Sequence, residues 1–409
     1  MKVFLGMATA VFMLLLGLPL VQKATGWPPD RPLGGVEPPV AEPDWTWSAW
    51  WAGKAQTDFE IWFNRHIGWR GVLVRTANQV AYSLFDELAQ GRGTRVVAGR
   101  EGYFYESVYV DSYRMGGTRS AAEIRRRSFD LRRLQDRLAA DGIGFWLVIA
   151  PSKAEIYPEH LPPSADVAGR SKRLSHYERM VADLQENGVN VVDAHALFRT
   201  WRKDPGTPAL FPRSGTHWNR YGAARVVSVL MDRLREPTGN DWPVLTVTGT
   251  VTNRKIIPPD NDLGELANLW QRRSLAGPQV HPVIETDPGT EKPNLLLICD
   301  SFGAMVGEVL QQQRLVREHD AYYYNTRHHG WPRKRASADN VDPDLPDILR
   351  RVAGRDAVVV VEVEYFLPEI GFGFAEQLLK TYDEWDERKP GADSEARFPA
   401  CEGEGDSAT

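Results

Sequence analysis

Two runs in this chain are apolar at every position, Leu295–Ile298 and Val358–Val361. A strand with one wet face alternates apolar and polar residues. A strand that is apolar throughout has to be covered on both faces, as central strands of a parallel sheet are. Further strand-like runs lie at Tyr103–Tyr105, Phe145–Ile149 and Val189–Val192. Between them, Ile124, Leu131, Leu134 and Leu138 mark one amphipathic helix, and Tyr177, Met180, Val181 and Leu184 a second. Ala223, Val226, Val227, Leu230 and Met231 mark a third, at i, i+3, i+4, i+7 and i+8. Strands alternating with helices predict a three-layer α/β/α domain with a central, mostly parallel sheet, over residues 96–389. Residues 240–290 break the alternation and hold the β-prone Val244, Leu245, Val247 and Val251, so they are read as an insertion. The small, acidic, polar tail 390–409 is expected to be disordered.

Ahead of this domain, residues 3–22 run for twenty residues without a charge, between Lys2 and Lys23. A helix of ~20 residues spans a bilayer core. The run is long for a signal peptide and no A-x-A cleavage site follows it, so residues 1–23 are read as an uncleaved anchor in preference to a cleaved signal peptide. With no second candidate span, the rest of the chain is expected on one side, outside the inner membrane. A proline-rich linker, 24–46, is expected to act as a stiff spacer lifting the domain off the membrane. An aromatic helical segment, 47–95, places Phe59, Trp62, Phe63 and His66 at helical spacing and is expected to pack on the main domain.

Composition excludes some classes of function. A net charge of −5 lacks the basic excess of a nucleic-acid binder. Two cysteines form neither a disulfide framework nor a Cys-rich zinc site, and Asp193-Ala194-His195 is too short a match for a metal site. Neither a cofactor nor a metal is expected.

Three motifs carry chemistry. In LLLICDSFGAMVGEVL (295–310), a buried strand ends at Asp300 and a helix begins just after Ser301. Ligands of α/β sheets bind at the carboxyl ends of strands, and a helix start offers N–H donors for an oxyanion. Ser301 reads equally as a nucleophile or as a helix cap. In RSGTHWNRYGAARVV (213–227), Asn219 is the expected helix cap, which leaves His217 in the preceding loop, as a general base or as a surface histidine. In VIAPSKAEIYPEHLPP (148–163), Lys153 and Tyr157 follow a strand end and are expected to line the same crevice, with Lys153 either binding an anionic group or solvated.

These motifs, in this order, resemble the SGNH-hydrolase-like domain of the AlgJ/AlgX-type alginate O-acetyltransferase family. The resemblance is carried by FEIWFNRHIGWRGVLV (59–74), EGYFYES (101–107), APSKAEIYPEHLP (150–162), GTHWNRYGA (215–223), CDSFG (299–303) and VEVEYFLPEIGFGF (361–374). It implies a periplasmic enzyme moving acetyl groups onto exopolysaccharide, often supplied by a multi-pass membrane acyltransferase, with Ser301 as nucleophile and His217 as base. The family's histidine motif usually reads Asp-x-His-Trp, and here the aspartate's place is taken by Gly215. Asp300, as acid or as turn brace, and Asp193, Glu362 and Glu364 are candidates for the missing acid. Trp218 is expected to stack on a sugar, and Asn325 to donate to the oxyanion. The leading expectation is therefore a membrane-tethered O-acetyltransferase acting on a polysaccharide. The alternatives are an acetylesterase using the same residues and a non-catalytic polysaccharide-binding or assembly protein.

Overall fold

The computed structural model describes residues 2–35, 39–88, 95–115, 119–165, 174–271, 275–332 and 345–387. The tail read as disordered lies outside them. Four helices come first: α1 (Lys2–Thr25), α2 (Trp47–Trp51), α3 (Lys54–His66) and α4 (Arg70–Phe85). A short hairpin follows, β1 (Val96–Ala98) and β2 (Phe104–Glu106). The main domain holds α5 (Ala121–Ala140), β3 (Gly144–Ala150), α6 (His176–Glu186), β4 (Val191–Asp193), α7 (Arg220–Arg235), β5 (Val244–Asn253), α8 (Asp262–Leu266) and β6 (Gln279–Asp287). It continues with β7 (Asn294–Cys299), α9 (Ser301–Gln312), β8 (Glu318–Tyr323), β9 (Arg327–Trp331), β10 (Ala357–Val363) and α10 (Phe374–Glu387).

Six strands form one sheet in the order β4-β3-β10-β7-β8-β9, parallel except where β9 returns against β8. Side chains of a strand alternate between faces, and here both faces are dry. Val148, Leu297, Val359 and Val361 point into one core with Val226, Leu230, Val306 and Leu310 from α7 and α9. Leu147, Ile298, Val358 and Val360 point into the other with Leu134, Leu138, Met180 and Leu378 from α5, α6 and α10. This is the three-layer arrangement that the solid apolar runs imply. Serine–glutamate capping boxes, Ser120 with Glu123 and Ser175 with Glu178, fix the starts of α5 and α6.

The 240–290 segment is an antiparallel pair, β5 with β6, that rests on α7 and carries α8 in its connection. Two expectations change at the N-terminal end. The linker, read as a spacer between membrane and domain, is strapped to α4 and to the main domain. Asp30 Oδ2 accepts from the Gly71 N–H, Arg75 donates to the carbonyls of Arg31 and Pro32, and Gly34 and Asn268 exchange hydrogen bonds. The 47–95 segment packs on the main domain only in part: α4 does so through Asn78 and Tyr82, whereas Trp47, Trp50, Trp51, Phe59 and Phe63 of α2 and α3 are exposed. Helical spacing shows that residues share a face but not what that face meets.

Candidate functional site

The carboxyl edge of the sheet gathers Ser301 after β7, Tyr323 and Tyr324 at the end of β8, and Glu364 after β10. Ser301 is the first residue of α9, and Asp300 is its N-cap. Asp300 Oδ1 accepts from the N–H groups of Phe302 and Gly303, and Oδ2 accepts from the Val363 N–H. One buried carboxylate thus ties the start of α9 to the end of β10. Burial raises its pKa to about 6, with these backbone donors pulling the other way. Asp300 is therefore the turn brace and not the acid behind a histidine. It also takes two of the N–H groups expected to hold an oxyanion, which leaves the Ser301 N–H as the nearest backbone donor. Gly303 is required by close approach: a Cβ there would lie 2.4 Å from the Cys299 Cβ and 2.9 Å from the Val361 Cβ.

His217 sits just before α7, which Asn219 caps by accepting from the Gly222 N–H. Its ring meets Phe302, the neighbour of Ser301, edge-on at 5.0 Å between centroids. His217 Nδ1 lies 3.1 Å from Asp262 Oδ2, an ion-pair contact that falls outside hydrogen-bond geometry, and Nε2 has no partner among the described residues. Catalytic hydrogen bonds are often misaligned in empty sites and tighten once substrate is bound.

Asp262 is the residue that sequence reasoning missed. It enters from the β5–β6 connection, at the start of α8, and its Oδ1 accepts from the Thr216 and Leu263 N–H groups. The Gly264 N–H donates to the Ser214 carbonyl, and the Ser214 hydroxyl donates to Asn261 Oδ1, so the two loops are joined along their length. The departure at Gly215 follows from this packing. A Cβ on Gly215 would lie 2.6 Å from Pro212 Cγ and 2.9 Å from the Asp260 carbonyl oxygen, so the loop that delivers Asp262 fills the space an aspartate at 215 needs.

Other carboxyls surround His217. Glu106 accepts from the Thr216 hydroxyl, and burial raises its pKa. Asp260 is raised to about 6, mainly by burial, with Arg220 opposing. In both, the nearby His217 works against burial. On the far side, the Ser301 side chain lies close to the hydroxyls of Tyr323 and Tyr324. Tyr324 (φ 49°) and Asn325 (φ 53°) are both left-handed, a backbone strain that active sites often store. Tyr324 packs edge-on against Phe366 and Phe372, which makes the 361–374 motif an aromatic wall. A cleft of about 290 Å³ runs along α9 beyond the site, lined by Arg220, His281, Ile284, Met305, Glu308 and Gln312 among others.

The remaining sequence candidates lie elsewhere. Trp218 is fully buried between Phe198 and Phe302, so it presents no face to a sugar. Lys153 is buried with Nζ donating to the carbonyls of Phe104 and Arg213, and its pKa falls to about 7 through burial. Tyr157 is buried too, its hydroxyl accepting from the Leu210 N–H. These two brace the loops behind the crevice and do not line it. The Asn325 amide is engaged by Phe372, Gln377 and Arg351 and is not an oxyanion donor. Asp193 caps a helix at Ala194–Trp201, Glu362 accepts from the Gly371 N–H, and Glu364 from the Ser152 N–H; none of them meets His217.

A family model described as the SGNH hydrolase-like domain of the acetyltransferase AlgX matches residues 96–313, which include His217, Asp262 and Ser301. The probable alginate O-acetylase AlgJ of Pseudomonas aeruginosa is 25% identical over 271 residues, 62% of this chain and 65% of that protein. The AlgJ of Azotobacter vinelandii is 26% identical over 136 residues, 33% of this chain and 32% of that protein. The chain thus spans less than two thirds of either relative. The O-acetyltransferase domain of Pseudomonas putida AlgJ is 20% identical with a TM-score of 0.42, over 67% of this chain and 92% of that one. The family model covers more than half of the chain, and the chain belongs to the family of AlgX-type SGNH-hydrolase-like acetyltransferase domains.

Proposed function

We propose that this protein is an O-acetyltransferase that places acetyl groups on hydroxyls of a bacterial exopolysaccharide at the periplasmic face of the inner membrane. The observation that carries the reading is the pairing of His217 with Asp262 beside Ser301 in a chain whose family is that of AlgX. α1 is long and apolar enough to cross a membrane and is taken as the tether. A multi-pass membrane acyltransferase is the expected source of the acetyl group.

In the first half-reaction the Ser301 oxygen attacks the donor's acetyl carbonyl while His217 Nε2 takes the hydroxyl proton. Asp262 orients the imidazole through Nδ1 and stabilises its positive charge. The Ser301 N–H and the hydroxyls of Tyr323 and Tyr324 donate to the oxyanion in this reading. Collapse breaks the donor's acyl bond, and His217 returns the proton to the leaving group. A sugar hydroxyl then attacks the acetyl-serine, His217 takes its proton, and collapse releases the acetylated sugar with the serine restored. The cleft along α9 suits the acceptor, because the polar Arg220, His281 and Gln312 line it beside the apolar Ile284 and Met305. Water in place of the sugar would make the same site an acetylesterase.

The test is to incubate the protein with an acetyl donor and candidate glycans and to measure acetylated glycan against free acetate. Ser301→Ala is expected to abolish acetyl-enzyme and product while leaving the melting temperature unchanged. Undiminished transfer by that variant would remove Ser301 as nucleophile, and acetate without acetylated glycan would favour hydrolysis.

A further inference from the structure

The exposed aromatic helices are not used by the chemistry above, and their position relative to α1 gives them a partner. The turn between α3 and α4 rests on the last two turns of α1. The Trp69 N–H donates to Gln22 Oε1, and a Cβ on Gly68 would lie 1.9 Å from the Pro19 carbonyl oxygen. If α1 spans a membrane, as the proposed function takes it to, this corner lies where the helix leaves the hydrocarbon.

Along α3 from that corner the molecule shows water an aromatic surface, joined to it by the rings of His66, Trp62 and Phe59. Trp47 is 80% and Trp51 85% exposed, four residues apart on α2. Trp45 joins them, with ring centroids 6.3 Å from Trp50 and 5.7 Å from Phe59. Tryptophan is the residue that gains most from a layer apolar on one side and wet on the other. At the His66 end of this surface a cavity of about 550 Å³ opens between the end of α1 and the α3–α4 turn, with Lys23, Arg31, Arg65 and Arg70 against Asp30 in its lining. A basic lining at this depth suits lipid phosphate.

We propose that α2 and α3 lie in the headgroup layer of the membrane that holds α1, with Trp45, Trp47, Trp50 and Trp51 inserted and the neighbouring basic cavity taking phosphates of lipid headgroups. The occupant is lipid because the surface is continuous with the point where α1 exits, and because tryptophan next to arginine and lysine is the chemistry of an interface. The strapped linker then leaves the catalytic domain no free tether, so its crevice sits at a set height above the bilayer.

The experiment uses the full chain in nanodiscs of phosphatidylcholine and phosphatidylglycerol, with an environment-sensitive dye on Trp51→Cys in a Cys401→Ser background, Cys299 being buried. A lipid spin-labelled at the headgroup is expected to quench this dye at least about twofold, as it would an interfacial side chain. The same dye on Phe129→Cys, an exposed site on α5, is expected to stay unquenched. Equal, weak quenching at both sites would overturn the inference. Shielding found only in native membranes and not in nanodiscs would mark a protein partner and overturn it too. Carbonate washing checks the span separately: extraction of the chain defeats the tether itself, whereas retention with an unquenched Trp51 label defeats this inference alone.

Discussion

Asp262 performs two separable duties, and one substitution divides them. Its Oδ1 braces the Thr216 and Leu263 N–H groups, and its Oδ2 faces His217. Asp262→Asn keeps the bracing oxygen and removes the charge, so the fold is expected to persist while acetyl transfer falls by on the order of 10³–10⁴, the loss seen when a triad acid is neutralised. Single-turnover acetylation with a melting curve on the same sample checks both. Gly215→Asp is not expected to rescue that variant and is expected to lower the melting temperature, because the new side chain meets Pro212 and the Asp260 backbone. A second residue-scale test concerns Glu364, which is buried against the Ser152 N–H and raised to about 8, chiefly by burial and next by Glu155. An unfolded glutamate titrates near ~4.3, so between that value and about 8 the folded chain holds a proton that the unfolded chain has released. The stability Glu364 contributes is therefore complete below that window and is lost as pH rises through it. Glu364→Gln removes this dependence. Urea unfolding from pH 4 to 9 is expected to show the native chain weakening relative to the variant by on the order of a few kcal/mol. Parallel profiles would contradict the assignment.

At the scale of elements, Gly303 is where helix and sheet meet. Gly303→Ala puts a methyl group against Cys299 and Val361, between β7 and β10, and displaces the helix that carries Ser301. Overpacking of this kind costs ~1–3 kcal/mol, so both stability and acetyl transfer are expected to drop, measurable as a lower urea midpoint with loss of acetyl-enzyme. This element was readable in advance: a run apolar at every position has to be a covered strand, and Ser301 follows one and starts a helix. The acid was not readable. Asp262 stands in a polar stretch, PPDNDLGEL, with neither hydrophobic period nor spacing to distinguish it from Asp260. Only the pairing of β5 with β6 and the joining of the two loops bring it to His217, 45 residues away in sequence. Trp218, Lys153 and Tyr157 erred in the other direction. Polar and aromatic residues after a strand end or before a helix start look the same in sequence whether they face the crevice or the core behind it, and here all three are buried.

At the scale of the whole molecule, what stands between α1 and the catalytic domain is the residue 28–35 strap, and Arg75 holds it. Its guanidinium is buried and donates to the carbonyls of Arg31, Pro32 and Gly71, with the Trp270 ring 5.9 Å away. Burial lowers its pKa, and the three backbone acceptors are what keep a charge tolerable there. Arg75→Ala strands those carbonyls and opens a cavity, while the sheet and its two cores lie beyond its reach. Local opening of the strap is expected to become easier by enough to speed cleavage within 28–35 on the order of tenfold or more. Subtilisin treatment of the full chain in membranes, followed by mass analysis of the released fragment, reads this directly. Arg75→Lys is expected to fall between the two, because an ammonium cannot hold the guanidinium's fork of acceptors. Once cut, the domain should leave the membrane unless α2 and α3 hold it there. Release that is complete only when Trp47, Trp50 and Trp51 are also changed to serine would separate the strap from the aromatic surface as two independent attachments, and an unchanged cleavage rate in Arg75→Ala would show that the linker is held by Asp30 and Asn268 alone.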